Sequence, residues 1–500
     1  MPNLGFYLTE SAEMYPGAAA LRCEDRTTTY SQLADLVYRF GEYLVHQGIR
    51  PGDRIGVMLP NRPEFVVLFY SVLHEGAVVV PMNPLQSARE VEFFLSNTGA
   101  KMLFFAPECA VAATAGALAA GVRALAIDSE ALAHHTAGVA GFTRPLPRAA
   151  DDTAVIVHTS GTTGVPKGAQ LTHSNLSHNQ AVIARRLLNL EPDDVVMGCL
   201  PLFHVFGMTG GLLTAGSAGA TLALLPRFDP AEALRMIAAE RVTVFEGVPT
   251  MYVGMLGAAE RNDVDVSSLR VCVSGGAAMP VDVLRAFENR FGCTVLEGYG
   301  LSETSPAVCF NRLNRVRKVG SIGTPIDGVE MRIVDDNGNN LPVASPGEIQ
   351  VRGHNVMKGY WNLPDATDGA IKDGWFSTGD IGRVDEDGFY YVVDRKKDLI
   401  IRGGYNVYPR EVEEALHEHP AVAAAVVIGM PHDSLGEEVG AAVVLKRDAS
   451  ADAVELCDFV KRRVAAYKYP RRIWIVNSLP TGPTGNVLRR EVQPPPIEQT

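Results

Sequence analysis

Ten residues, TSGTTGVPKG from Thr159 to Gly168, concentrate groups suited to phosphate. Thr159, Ser160, Thr162 and Thr163 carry hydroxyls, Gly161 and Gly164 leave their backbone N–H groups open to close approach, and Lys167 adds a positive charge. Donors and a cation at this spacing suit the oxygens of a polyphosphate. The segment is not the P-loop G-x-x-x-x-G-K-[ST], because Pro166 precedes the lysine and Gly168 follows it. Pro166 lacks an N–H and disfavours helix at Val165, so a loop after the strand TAVIVHT is expected rather than a strand-to-helix cradle. Taken alone, such a Gly/Thr loop reads equally well as a flexible surface turn.

Four more motifs follow in order: GYGLSET, STGD, DRKKDLIIRGGYNVYP and LPTGPTGNVLRREV. With the first loop they resemble the signature segments of the adenylate-forming acyl- and aryl-CoA synthetases, luciferases and peptide-synthetase adenylation modules, over nearly the whole chain. The resemblance implies an ATP- and Mg²⁺-dependent acid–thiol ligase. A carboxylate and ATP give acyl-AMP and pyrophosphate, and a thiol then displaces AMP. That thiol belongs to coenzyme A or, in a rival reading, to the phosphopantetheine arm of an acyl carrier protein. Attack on the α-phosphate builds negative charge, so donors, cations and metal must be in place beforehand.

On this resemblance, Thr159, Ser160, Gly161, Thr162, Thr163, Gly164 and Lys167 form the loop for the β- and γ-phosphates. The segment from Glu297 through Gly298 to Tyr299 borders adenine, Ser302 stands beside phosphate where threonine is commoner, and Glu303 takes Mg²⁺. Asp380 and Arg395 meet the ribose hydroxyls. Gly275, Gly276 and Ala277 lie against adenine and the acyl chain. His204, Val205, Phe206, Gly207 and Val248 complete the acyl pocket, with His204 expected as wall rather than proton carrier. No aspartate stands in FHVFG to meet a substrate ammonium, which disfavours an amino acid, and the apolar segments favour a hydrophobic, fatty-type carboxylic acid. Gly403 and Gly404 belong to the segment presented during thiol transfer. Outside the resemblance each motif has a plainer reading: Glu303 as a solvated carboxylate, STGD as a turn, SGGAAM as a strand end.

The chain departs from the family at Asn486, where P-T-G-K is usual and the lysine bridges carboxylate and α-phosphate. An amide donates without charge, so adenylation is expected to lose about 3 kcal/mol, roughly a hundredfold in rate, while thiol transfer is spared. An engineered change, a naturally slow enzyme, and a site rewired through Lys468, Arg489 or Arg490 remain open. A degenerate member that binds ligand without turnover is the non-enzymatic rival, opposed by the intact SGTTG, Glu303, Asp380 and Arg395.

These residues need a scaffold. Short apolar runs such as DRIGVML, KMLFFA, RVTVFEGV and LRVCVSG alternate with helical patterns such as PVDVLRAFENRFG, which predicts an α/β fold with layered subdomains. After about residue 320, Asn-Gly and Asp-Gly turns punctuate antiparallel-type strands, giving a β-rich part and then a small α+β C-terminal domain. The resemblance divides these into an N-terminal domain, 1–393, and a mobile lid, 394–500, with its hinge near Asp394. Its 500 residues exceed one core, and 45 basic against 57 acidic residues give a net charge of −12 without a basic block, which disfavours nucleic acid as a partner. The N-terminus has no secretory pattern, the stretch GMTGGLLTAGSAGATLALLP is too interrupted for a transmembrane span, and seven cysteines without CxxC suit a reduced, cytoplasmic setting. Oligomeric state leaves no mark in the sequence.

Overall fold

A computed structural model describes residues 3–139, 144–159, 166–261, 264–403, 405–432, 434–447, 449–482 and 487–495. Packing divides the chain into two units, one of residues 1–331 and 351–376, the other of 332–350 and 377–500.

Two large sheets organise the first unit. The nine-stranded sheet has at its middle the parallel strands Val195–Gly198, Val244–Gly247, Val271–Ser274 and Thr294–Gly300. The strand Thr294–Gly300 then turns back antiparallel to Ala307–Phe310. Buried on both sides, the inner strands read as continuous apolar runs. The helix Val281–Phe291 buries Leu284, Phe287 and Phe291, a three- and four-residue spacing that makes one apolar stripe. Phe287 packs on Tyr252 at 4.7 Å between ring centroids, Tyr252 on Phe245 at 5.1 Å, and the Tyr252 hydroxyl donates to the Val273 carbonyl. This aromatic core fixes one face of the strands whose ends carry the expected pocket residues.

In the seven-stranded sheet, Thr153–Thr159 pairs antiparallel with Lys167–Thr172, which pairs with Gly359–Tyr360. Lys167 therefore opens a strand that pairs back on Thr153–Thr159, with Pro166 just before it. The interrupted apolar stretch forms a buried π-helical segment, Phe206–Leu213, then the short helix Thr214–Ala218 and the strand Thr221–Leu224. Among the described residues no helix is long and apolar enough to cross a membrane.

The second unit contains a mixed sheet in the order Tyr405–Val407, Ile400–Arg402, Gly436–Leu445, Val422–His432, with Arg472–Ile475 parallel to Gly436–Leu445. The helices Pro409–His417 and Ala453–Lys461 contribute Val412, Leu416, Leu456 and Val460 to its core. The α/β body with a small C-terminal α+β unit matches the fold class expected from sequence.

Candidate active site

Antiparallel pairing places Thr159, the last residue of its strand, opposite Lys167, the first of the next. The Thr159 hydroxyl reaches Oε1 of Glu303 at 3.4 Å, and the Tyr360 hydroxyl donates to the same oxygen at 3.0 Å. Lys167 Nζ stands 5.1 Å from the centre of the Tyr360 ring, and among the described residues no carboxylate pairs with it. Burial and the neighbouring Glu303 both push the Tyr360 phenol up, so it remains a donor. Glu303 is buried, its Oε2 takes no hydrogen bond from a described residue, and its carbonyl accepts from Met357 N at 2.8 Å. A buried carboxylate with one oxygen unspent, beside an unpaired lysine, fits a magnesium–polyphosphate.

Glu303 is held by its own turn. Leu301 N donates to the Thr304 hydroxyl, which donates in turn to the Pro306 carbonyl at 2.7 Å. The Ser305 hydroxyl donates to Asn355 O, and Asn179 brackets Ala307 by donating to its carbonyl and accepting its N–H. Ser302 opens this short turn, half-buried. Tyr299 lies opposite Cys309, and its two glycine neighbours are steric necessities. A β-carbon on Gly298 would sit 2.0 Å from the Phe310 ring, and one on Gly300 would sit 1.9 Å from the Pro306 carbonyl oxygen. Glu297 accepts from Gly320 N at 3.0 Å, so its carboxylate braces the segment that follows Phe310.

Gly275 is buried, and a β-carbon there would meet Phe206 Cε1 at 3.0 Å. Gly276 has φ +77°, and with Ala277 it is exposed. Gly207 is required by the chain itself, since a β-carbon would come within 2.6 Å of the Pro201 carbonyl oxygen. Val205 is buried, and Val248 packs into the aromatic core around Phe245. His204 accepts from Phe206 N at 3.3 Å, and burial pushes its imidazole down to about 4, which leaves it neutral near pH 7.

In the second unit Asp380 and Arg395 are register partners, and the guanidinium Nε lies 3.3 Å from Oδ1 of the buried Asp380. Asp394 accepts from Arg395 N and from Arg410 N, both at 2.8 Å, and burial pushes its carboxyl up. Gly403 has φ +57° and donates its N–H to Leu435 O. Of the basic residues near the C-terminus, Lys468 donates to both oxygens of Glu411 at 2.7 Å and Arg489 pairs with Glu413, while Arg490 has no carboxylate partner among the described residues. Ser160, Gly161, Thr162, Thr163, Gly164, Gly404 and Asn486 lie outside the described residues.

Sequence reasoning missed two residues. Tyr360 left no signal beyond an aromatic pair after glycine. Glu246 left one, a carboxylate inside the apolar run VTVFEGV.

The family profile described as AMP-binding enzyme matches residues 8–361, and that of the AMP-binding enzyme C-terminal domain matches 411–486. The chain is 38% identical to a long-chain-fatty-acid–CoA ligase of Bacillus subtilis, over 98% of its own length and 94% of the relative's. It is 39% identical to a feruloyl-CoA synthase of Amycolatopsis, over 98% of each. Its structure superposes on ATP-bound MatB from Rhodopseudomonas palustris with a TM-score of 0.92 at 32% identity, covering 98% of each chain.

Proposed function

The chain belongs to the AMP-binding enzyme family, and from that premise we propose how its residues carry out acyl-CoA synthesis. It is an AMP-forming acyl-CoA synthetase with ATP and coenzyme A as substrates. The observation that supports the residue assignment is that Thr159 and Tyr360 both donate to Glu303 Oε1 while Lys167 stands over the Tyr360 ring.

Lys167 and the Thr159 hydroxyl orient the polyphosphate and offset its charge, while Tyr360 fixes the Glu303 carboxylate through Oε1 and leaves Oε2 free. Glu303 would hold Mg²⁺, which when bound supplies charge neutralisation on the triphosphate. Asp380 receives the ribose hydroxyls, with Arg395 holding its carboxylate. One oxygen of the substrate carboxylate forms a bond to the α-phosphorus as the bond to pyrophosphate breaks, and the thiol sulfur then bonds to the acyl carbon as AMP departs. His204, neutral and half-buried, shapes the acyl pocket and carries no proton in either step.

On this reading residues 394–500 act as a lid pivoting near Asp394, whose carboxyl ties the pivot to the helix Pro409–His417. Asn486 impairs the adenylation half while transfer from acyl-AMP is retained. The acid is hydrophobic, of the fatty-acid class, and the seven unbridged cysteines suit a cytoplasmic enzyme. Acid-dependent pyrophosphate release, followed by thioester formation with coenzyme A or with a holo carrier protein, tests the reading. Release that ignores the acid would overturn it, and transfer confined to the carrier would replace coenzyme A as acceptor.

A further inference from the structure

Glu246 is 2% exposed, on the inner strand Val244–Gly247 between Val195–Gly198 and Val271–Ser274. Alternation along the strand sends Phe245 into the aromatic core with Tyr252 and Phe287, and Glu246 to the opposite face. There it meets the π-helical segment Phe206–Leu213. A β-carbon on Gly210 would lie 2.8 Å from Oε2 and 2.9 Å from Oε1, and one on Gly211 would lie 3.8 Å from Oε2. Glycine is therefore what admits the carboxyl at this point. Phe206, whose ring lies against Gly275, stands about one turn before Gly210 on the same segment, which puts the Glu246 carboxyl about one helical turn along from a residue of the expected acyl pocket.

Among the described residues nothing donates to either carboxyl oxygen and no cation pairs with them. Its backbone carbonyl receives Cys199 Sγ at 3.4 Å. Burial alone pushes the Glu246 carboxyl up to about 8. A buried carboxyl without a partner is a standing cost to the fold, and it is relieved when a ligand brings the missing group. A saturated hydrocarbon chain brings none. A second carboxylate would set charge against a carboxyl already deprived of solvent.

We propose that Glu246 is a specificity-determining residue of the acyl pocket, and that the preferred acid carries a hydroxyl or amino group, remote from its reacting carboxylate, that hydrogen-bonds to the Glu246 carboxyl. This rests on the synthetase reading above and narrows its substrate class to hydrophobic acids with one polar donor. A site built around such a contact rejects the analogue lacking the donor more strongly than an apolar pocket rejects a lost methylene.

The test is equilibrium binding by calorimetry of matched acids to the purified full chain: 4-hydroxycinnamate and 4-aminocinnamate against cinnamate, and 10-hydroxydecanoate against decanoate. Thioester formation with ATP and coenzyme A is followed on the same acids. In at least one set the donor-bearing acid should bind about tenfold tighter than its plain counterpart. Glu246→Met should erase that preference, and Glu246→Gln, which keeps both size and hydrogen-bonding capacity, should retain part of it and serves as the informative variant if the methionine form does not fold. Equal or weaker binding of every donor-bearing acid, or a preference unchanged in a folded Glu246→Met, overturns the proposal. Thioester formed without preference overturns the role of Glu246 and leaves the synthetase intact. A binding preference with no thioester or pyrophosphate from any acid upholds Glu246 and overturns the synthetase reading instead.

Discussion

Tyr360 donates its hydroxyl to Glu303 Oε1 at 3.0 Å, although the two residues are 57 positions apart. The contact exists because Gly359–Tyr360 pairs with Lys167–Thr172, whose partner strand ends at Thr159. Strand pairing thus brings Thr159 and Tyr360, from separate segments, to one oxygen of one carboxylate.

Tyr360→Phe removes that donor without changing the ring beside Lys167. A hydrogen bond to a charged group contributes about 1.5–3 kcal/mol, so kcat/KM for ATP should fall roughly tenfold or more, with a higher Mg²⁺ concentration needed for half-maximal rate. Pyrophosphate release titrated with Mg²⁺ checks this. An unchanged Mg²⁺ dependence would mean that the tyrosine does not position Glu303.

Asn486→Lys should raise the adenylation rate about a hundredfold and leave transfer from supplied acyl-AMP to coenzyme A within about twofold. Single-turnover measurements of the two half-reactions separate the effects. Equal adenylation in both forms would show that another cation already does the work, and Arg490 would then be the first to substitute, since Lys468 and Arg489 are engaged with Glu411 and Glu413.

His204 is held near pKa 4 by burial and is neutral above about pH 5, so it contributes no titration to the rate between pH 6 and 8. His204→Phe should therefore change which acids are accepted while the pH profile of kcat/KM keeps its shape in that range. A limb of the profile that disappears in the variant would give His204 a proton-carrying role after all.

Glu246 keeps its proton up to about pH 8 in the folded chain, against an ordinary value of 4.5. Between these values the folded state binds one proton more than the unfolded state. The stability associated with the neutral carboxyl is thus whole below pH 4.5 and is lost as pH rises toward 8. Cys199 beside it, pushed up to about 12 by burial, does not titrate in this window. Glutamine does not titrate, so the Tm of Glu246→Gln relative to the parent should rise by roughly 2–4 °C between pH 5 and 8. A difference independent of pH would place the carboxyl in contact with solvent or with a partner.

The strands were legible by two patterns: burial on both faces leaves the apolar run TAVIVHT, the strand Thr153–Thr159, and burial on one face leaves the alternation of GEIQVRG, the strand Gly347–Gly353, where Ile349 and Val351 are buried. The proposed chemistry restricts the residue type at Lys167, Glu303 and Asp380, so these positions could be picked out from the sequence as candidates. What the sequence hides is long-range registry. Nothing local to Tyr360 says that its strand will lie beside Lys167–Thr172, and nothing local to Gly210 says that its missing side chain makes room for Glu246. The glycines of GYG read as turn residues, yet Gly298 and Gly300 are demanded by Phe310 and Pro306, partners fixed only when Ala307–Phe310 folds back.

The chemistry itself is tested most directly by isotope transfer. With the carboxylate of the substrate acid labelled with ¹⁸O, complete turnover with ATP and coenzyme A should leave one labelled oxygen in AMP and none in pyrophosphate, because carboxylate oxygen bonds to the α-phosphorus and the acyl–oxygen bond is the one the thiol later breaks. Unlabelled AMP, or label in pyrophosphate or orthophosphate, would contradict acyl-adenylate formation at this site.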